Sequence, residues 1–205
     1  MQTAAGMNTF LRRWFLRVTL AESVGYLAPA LAGVFASLGG ASPWTEVALM
    51  AVAGAFEGAC LGAGQAWALD GVVPLRRGPY VLGTAVAASA VWTFVMATMA
   101  LSTEEGPPLW LLPLGIPALL GIGAAQAWVL RRELPKPARW VGWTALAWVL
   151  ALPMSFTPGP LVDEATPLPV HLVLWPLGGV LMAAVMAAVT GLGMKRMLGE
   201  RASLG

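Results

Sequence analysis

Charge is what this sequence has least of. Only 11% of its 205 residues are Asp, Glu, Lys or Arg, while 58% are hydrophobic. A soluble domain of this length carries about twice that charged fraction, so these residues could not clothe a water-exposed core. Cys60 is the single cysteine, which excludes a disulfide framework within the chain. His171 is the single histidine, and one thiol with one imidazole makes a protein-ligated metal centre unexpected. There is no phosphate-binding loop, no Ser-His-Asp set, no carboxylate cluster of metal-binding spacing and no DxxD-type lipid-diphosphate motif. No enzyme class and no cofactor is therefore indicated. The basic loops are short, and nucleic-acid binding is not indicated either.

Long apolar runs are what the chain has in abundance. A helix needs about 20 apolar residues to cross a bilayer. Six such spans are predicted, at 18–38, 46–69, 80–101, 108–130, 140–156 and 168–194. The expectation is an all-α integral membrane protein, one six-helix domain over residues 1–205. Turn residues separate the spans at Gly39-Gly40, Gly78-Pro79, Gly106-Pro107 and Pro158-Gly159-Pro160.

The cations set an orientation. Arg12, Arg13 and Arg17 precede span one, and Arg76 and Arg77 lie between spans two and three. Arg131, Arg132, Lys136 and Arg139 lie between four and five, and Lys195, Arg196 and Arg201 end span six. All twelve Lys and Arg thus fall on one side, while Glu46, Glu104, Glu105, Asp163 and Glu164 fall on the other. The positive-inside rule makes the basic side cytoplasmic, with both termini there. The stretch Arg12-Arg13-Trp14-Phe15-Leu16-Arg17 is similar to a twin-arginine export motif. Glu22 interrupts the apolar core of such a signal, so the stretch reads as a basic anchor. Trp14, Trp67, Trp128, Trp140 and Trp143 near the basic boundary, and Trp44, Trp110 and Trp175 near the other, read as an aromatic belt.

One element occurs twice. GAGQAWAL at 62–69 returns as GAAQAWVL at 123–130, 61 residues later and identical at six of eight positions. Gly54 and Gly115 each precede the glutamine, Gln65 or Gln126, by eleven residues. Each copy runs on to paired arginines, then to a span opening with an aromatic and a threonine: Tyr80 with Thr84, Trp140 with Thr144. A weaker third copy has Gly179 eleven before Thr190, with span one as its second helix, since Trp14 leads to Thr19. Three parallel hairpins are expected, two clear and one split between the termini. Parallel repeats differ from the inverted repeats common in carriers. The paired glutamines read as part of a packing and anchoring unit that satisfies backbone groups or bonds the neighbouring hairpin.

Spaced glycines, Gln-x-Trp and then Leu-Arg-Arg over residues 54–150 resemble a loose group of uncharacterised bacterial multi-pass membrane proteins. The resemblance implies a bacterial inner-membrane protein and supplies no activity. The chain departs from that pattern at Asp70, with its arginine pair displaced to Arg76 and Arg77.

Small residues recur at four-residue steps: Gly54, Gly58, Gly62 and Ala66; Gly179, Ala183, Ala187 and Gly191; and Ala28, Ala32 and Ala36. Such stripes let helices approach closely in lipid. The first two are expected to pack within the bundle. The third, on span one, is the candidate for docking another membrane subunit, if that helix lies at an edge.

Glu57 is the sharpest candidate for chemistry. A mid-helix acid costs about 2.5–3.5 kcal/mol to insert, so this one is expected to hold its proton. Ser89 and Thr93 lie at matching depth on span three and are its expected partners. The repeat places Ala118 at the corresponding position, so Glu57 is outside the copied scaffold. Glu22 is expected to pair with Arg17 by snorkelling. His171, four residues before Trp175, could ligate one face of a pigment, though interfacial hydrogen bonding is its default. Pro29, Pro113, Pro117, Pro153 and Pro176 all lie in the middle or outer half of their spans. Each removes a helical hydrogen bond, which predicts an outer vestibule between spans four, five and six.

These features favour a non-enzymatic accessory or scaffold subunit of a membrane complex that could hold lipid or pigment. The alternative is a small-molecule binding or transport protein with an outward vestibule and Glu57 as its polar element. Its size and layout are similar to the substrate-binding subunits of vitamin uptake systems, without a matching substrate motif.

Overall fold

The computed structural model describes residues 4–103, 106, 111–162 and 165–204. Among the described residues six α-helices carry the chain: α1 (Ala4–Leu38), α2 (Pro43–Ala68), α3 (Arg77–Ala100), α4 (Leu112–Leu130), α5 (Ala138–Ser155) and α6 (Leu168–Leu204). All six are long and apolar enough to cross a membrane. Trp110, Glu104, Glu105, Asp163, Glu164 and the predicted start of span four lie outside the described residues.

The turns follow local chemistry. Ser42 caps α2, its Oγ accepting from the Thr45 amide at 3.2 Å, with Pro43 in the first helical turn. Beyond α2, Gly71 turns the chain at φ +71°, where a side chain would be strained. Two helices run further toward the basic end than the apolar spans predicted. α1 starts at Ala4 and α6 continues to Leu204. Phe10 and Trp14 join Met194, Met197 and Leu198 in one buried cluster there, so apolar packing carries both helices past their hydrophobic windows.

The helices form a closed ring. Each packs on its two neighbours in chain order, and α6 packs on α1. The neighbours are antiparallel. Trp14 lies by Gly191 and Tyr26 by Gly179 on α1 and α6, while Trp143 lies by Gly193 and Ser155 by Gly178 on α5 and α6. Glycine makes these approaches possible. A Cβ at Gly58 would stand 2.5 Å from the Ala88 Cβ and 2.7 Å from the Thr84 carbonyl; one at Gly64 would stand 2.5 Å from the Ala21 Cβ. In lipid, where apolar burial gives little drive between helices, such close contact holds the bundle. Leu20, Leu31, Phe35, Val52, Phe56, Leu82 and Val86 face outward, compatible with contact to lipid.

The small-residue stripes divide. Gly54, Gly58 and Gly62 face α3, Gly179 and Gly191 receive rings from α1, and Ala183 and Ala187 are fully buried. On α1, Ala36 is buried in the chain and Ala28 and Ala32 are half-buried. α1 closes the ring between α2 and α6, so it is not an edge helix.

Candidate functional site

The basic end of the ring is filled by alternating aromatic and polar side chains. Odd helices supply Trp14, Tyr80 and Trp140; even helices supply Gln65, Gln126 and Thr190, all of them buried. Each aromatic donates to a polar partner: Tyr80 Oη to Gln65 Oε1 at 2.9 Å, Trp140 Nε1 to Gln126 Oε1 at 2.7 Å, and Trp14 Nε1 to Thr190 Oγ1 at 3.2 Å. Gln126 Nε2 donates to Gln65 Oε1 at 2.7 Å and to Thr84 Oγ1 at 3.1 Å. The Trp14 and Trp140 rings meet edge to face, centroids 5.9 Å apart. All six side chains thus form one connected plug. The glutamines bond the neighbouring hairpin, as the repeat led one to expect, and not the backbone.

Eight residues before Gln65, about 12 Å along the helix, lies a pair of carboxyls. Glu57 is buried, and its Oε2 accepts from Trp92 Nε1 at 2.5 Å. Glu22 is wholly buried, and neither of its oxygens has a hydrogen-bond partner among the described residues. Gly25, one turn from Glu22, brings α1 against Glu57: a Cβ there would lie 3.0 Å from the Glu57 Cα and 2.9 Å from the Cys60 Cβ. The same approach sets the α1 segment that carries Glu22 against Glu57 and Cys60 of α2. Among the described residues no cationic side chain pairs with either carboxyl.

A cavity of about 620 Å³ opens toward the end away from the arginines. Tyr26, Pro29, Ala30 and Gly33 of α1 line it, with Met50 of α2, Trp92 of α3, and His171 and Trp175 of α6. Trp92 is therefore shared: it walls the cavity and holds the Glu57 carboxyl. Tyr26 walls the same space one helical turn from Glu22. The volume falls in the usual range for small-molecule sites, roughly 300–1,000 Å³.

Compared with protein-family models, curated proteins and solved structures, the chain matches none.

The site must be read from its residues, and several differ from what the sequence led one to expect. Ser89 and Thr93 do not serve Glu57. Ser89 Oγ donates to the Ala51 carbonyl at 2.8 Å, and Thr93 Oγ1 donates to the Ser89 carbonyl at 2.8 Å. Both hydroxyls are used by backbone, as small hydroxyls in apolar helices commonly are. Arg17 does not pair with Glu22. Its guanidinium donates to the Trp67 carbonyl at 2.5 Å and lies 4.3 Å from the Trp67 ring centroid, held by a helix end and a π face. His171 does reach the cavity, where its Nδ1 accepts from Trp175 Nε1 at 3.3 Å. This cavity lies between α1, α2, α3 and α6, not between spans four, five and six. Pro29 lines it, but α4 and α5 contribute nothing. Trp92 was the residue that sequence reasoning missed. It and Trp148 are the two tryptophans with no place in the interfacial belt, and that was the available signal.

Proposed function

We propose that the chain is a non-enzymatic membrane protein that binds a small molecule in the cavity between α1, α2, α3 and α6, either for transport or for delivery to a partner. Its setting is a bacterial inner membrane, with both termini and the arginine-rich loops cytoplasmic. The reading is supported by one observation above the rest. Trp92 lines the cavity and donates to the buried Glu57. An accessory or scaffold role needs no such space and no carboxyl below it. The plug of Trp14, Tyr80, Gln65, Gln126, Trp140 and Thr190 supports access from the outer side only in this conformation. The three aromatic-to-polar bonds also favour three related hairpins, α2–α3, α4–α5 and α6–α1.

The test is saturable binding of a neutral apolar probe, N-phenyl-1-naphthylamine, to the purified full chain. Gly33→Trp places an indole on the cavity wall, where the added Cβ would meet only the flexible end of Met50, its Cε 3.2 Å away. Binding that Gly33→Trp abolishes supports the reading. Binding that survives it, or no saturable binding, overturns it.

A further inference from the structure

We infer that the ligand of this cavity is a hydrophobic organic cation, recognised by the aromatic side chains of Tyr26, Trp92 and Trp175 that line it and by the buried acidic pair of Glu22 and Glu57, the latter bonded to Trp92. The inference rests on the proposed small-molecule reading and adds the charge of the ligand.

Three observations carry it. Glu22 is wholly buried with neither oxygen partnered among the described residues, and the close approach at Gly25 sets its helix against Glu57, a second buried carboxyl. Carboxylates removed from water need a counter-charge or must stay neutral, and among the described residues no cation pairs with these. All twelve Lys and Arg lie toward the other end of the bundle, and Arg17, the nearest in sequence to Glu22, donates to the Trp67 carbonyl instead. A positively charged ligand is the missing partner this arrangement accepts best.

Aromatic rings lining the same space are the second observation. Rings attract cations through their negative faces, and aromatic enclosures are a recurring way to hold organic ammonium groups. The third is the rest of the wall. Pro29, Val34, Met50 and Leu168 are apolar, which suits a bulky apolar cation better than a hydrated metal ion. The carboxyls lie behind this wall: Trp92, which lines the cavity, bonds Glu57, and Tyr26 of the same wall lies one helical turn from Glu22.

Two ions of nearly equal shape and opposite charge make the test. Tetraphenylphosphonium and tetraphenylborate are titrated onto the purified full chain, read by quenching of tryptophan fluorescence. The expected result is saturable binding of the phosphonium and none of the borate at equal concentration. Glu22→Gln and Glu57→Gln, which keep side-chain volume, should each weaken phosphonium binding at least tenfold. Equal binding of both ions overturns the inference, as does phosphonium binding unchanged in both variants. Binding of neither ion, with N-phenyl-1-naphthylamine still bound, overturns the charge assignment and leaves the small-molecule reading standing. The comparison of the two ions needs only the unaltered chain, so a variant that fails to fold does not remove the test.

Discussion

Gln126 donates its side-chain amide to the side-chain carbonyl of Gln65 at 2.7 Å, across 61 residues of chain. That separation equals the spacing at which GAGQAWAL returns as GAAQAWVL. The two copies of the element are bonded to each other. A pair of equivalent residues bonded across two helices ties the hairpins at a fixed depth, where each amide also takes an aromatic donor.

Replacing Gln65 by Leu should be costly, because Tyr80 and Gln126 both lose their acceptor. Unsatisfied buried donors cost roughly 1–3 kcal/mol. Gln126→Leu should cost a similar amount. The double variant should lose less than the sum, by about 0.6 and at most about 1.7 kcal/mol, the coupling measured for such bonds in membranes. Unfolding in mixed micelles measures all three, and strict additivity would show the bond contributes nothing.

Glycines in the bundle should divide sharply on substitution. A Cβ at Gly54 would stand 2.2 Å from Trp92 Cδ1, and that ring is tied to Glu57. Gly54→Ala should cost roughly 1–3 kcal/mol through overpacking and shift the Trp92 emission. Nothing lies within 4 Å of a Cβ at Gly142. Gly142→Ala should be neutral or gain up to about 1 kcal/mol from helix propensity. Thermal midpoints of the two variants check the contrast.

Trp14 fills space against Gly191, meets the Trp140 ring edge to face and donates to Thr190. Trp14→Ala should cost about 3–5 kcal/mol. Trp14→Phe should cost much less. Thr190 keeps its own bond to the Met186 carbonyl at 2.6 Å, so losing the indole strands no buried donor. Similar losses for the two variants would mean that the hydrogen bond, not the volume, dominates.

Sidedness can be read with thiols. In a Cys60→Ala background, Gly40→Cys should react with an impermeant maleimide in intact cells. Lys136→Cys should react only after the membrane is opened. The reverse pattern would place the arginines outside.

Much of the bundle was legible because composition alone dictates it. Long apolar runs become helices in any solvent that cannot satisfy backbone groups. The glycine positions also reported real contacts, since Gly54, Gly58 and Gly62 do face α3. Partner choice was harder. Ser89 and Thr93 match Glu57 in depth, but depth does not fix rotation about the helix axis, and Trp92 held the right angle. Glu22 was assigned to Arg17 by distance along one helix. In the ring, Arg17 turns to the end of α2 and Glu22 faces α2 further in. The vestibule was placed by proline density, which marks weakened helices and says nothing about which helices are neighbours. The contact of α6 with α1 settles that, and the split third copy, Gly179 to Thr190 with Trp14 and Thr19, was the sequence signal for it.

That contact has a consequence for the connectivity itself. α1 and α6 lie side by side and antiparallel, with Trp14 against Gly191, so both chain ends leave the bundle at the same rim. A short linker between them, with a new break between the exposed Pro135 and Lys136, would change the order of synthesis and leave every helix contact available. Circularly permuted chains succeed at such exposed tips. The bundle specifies a cycle of six helices, and where the gene begins reading it is a separate matter.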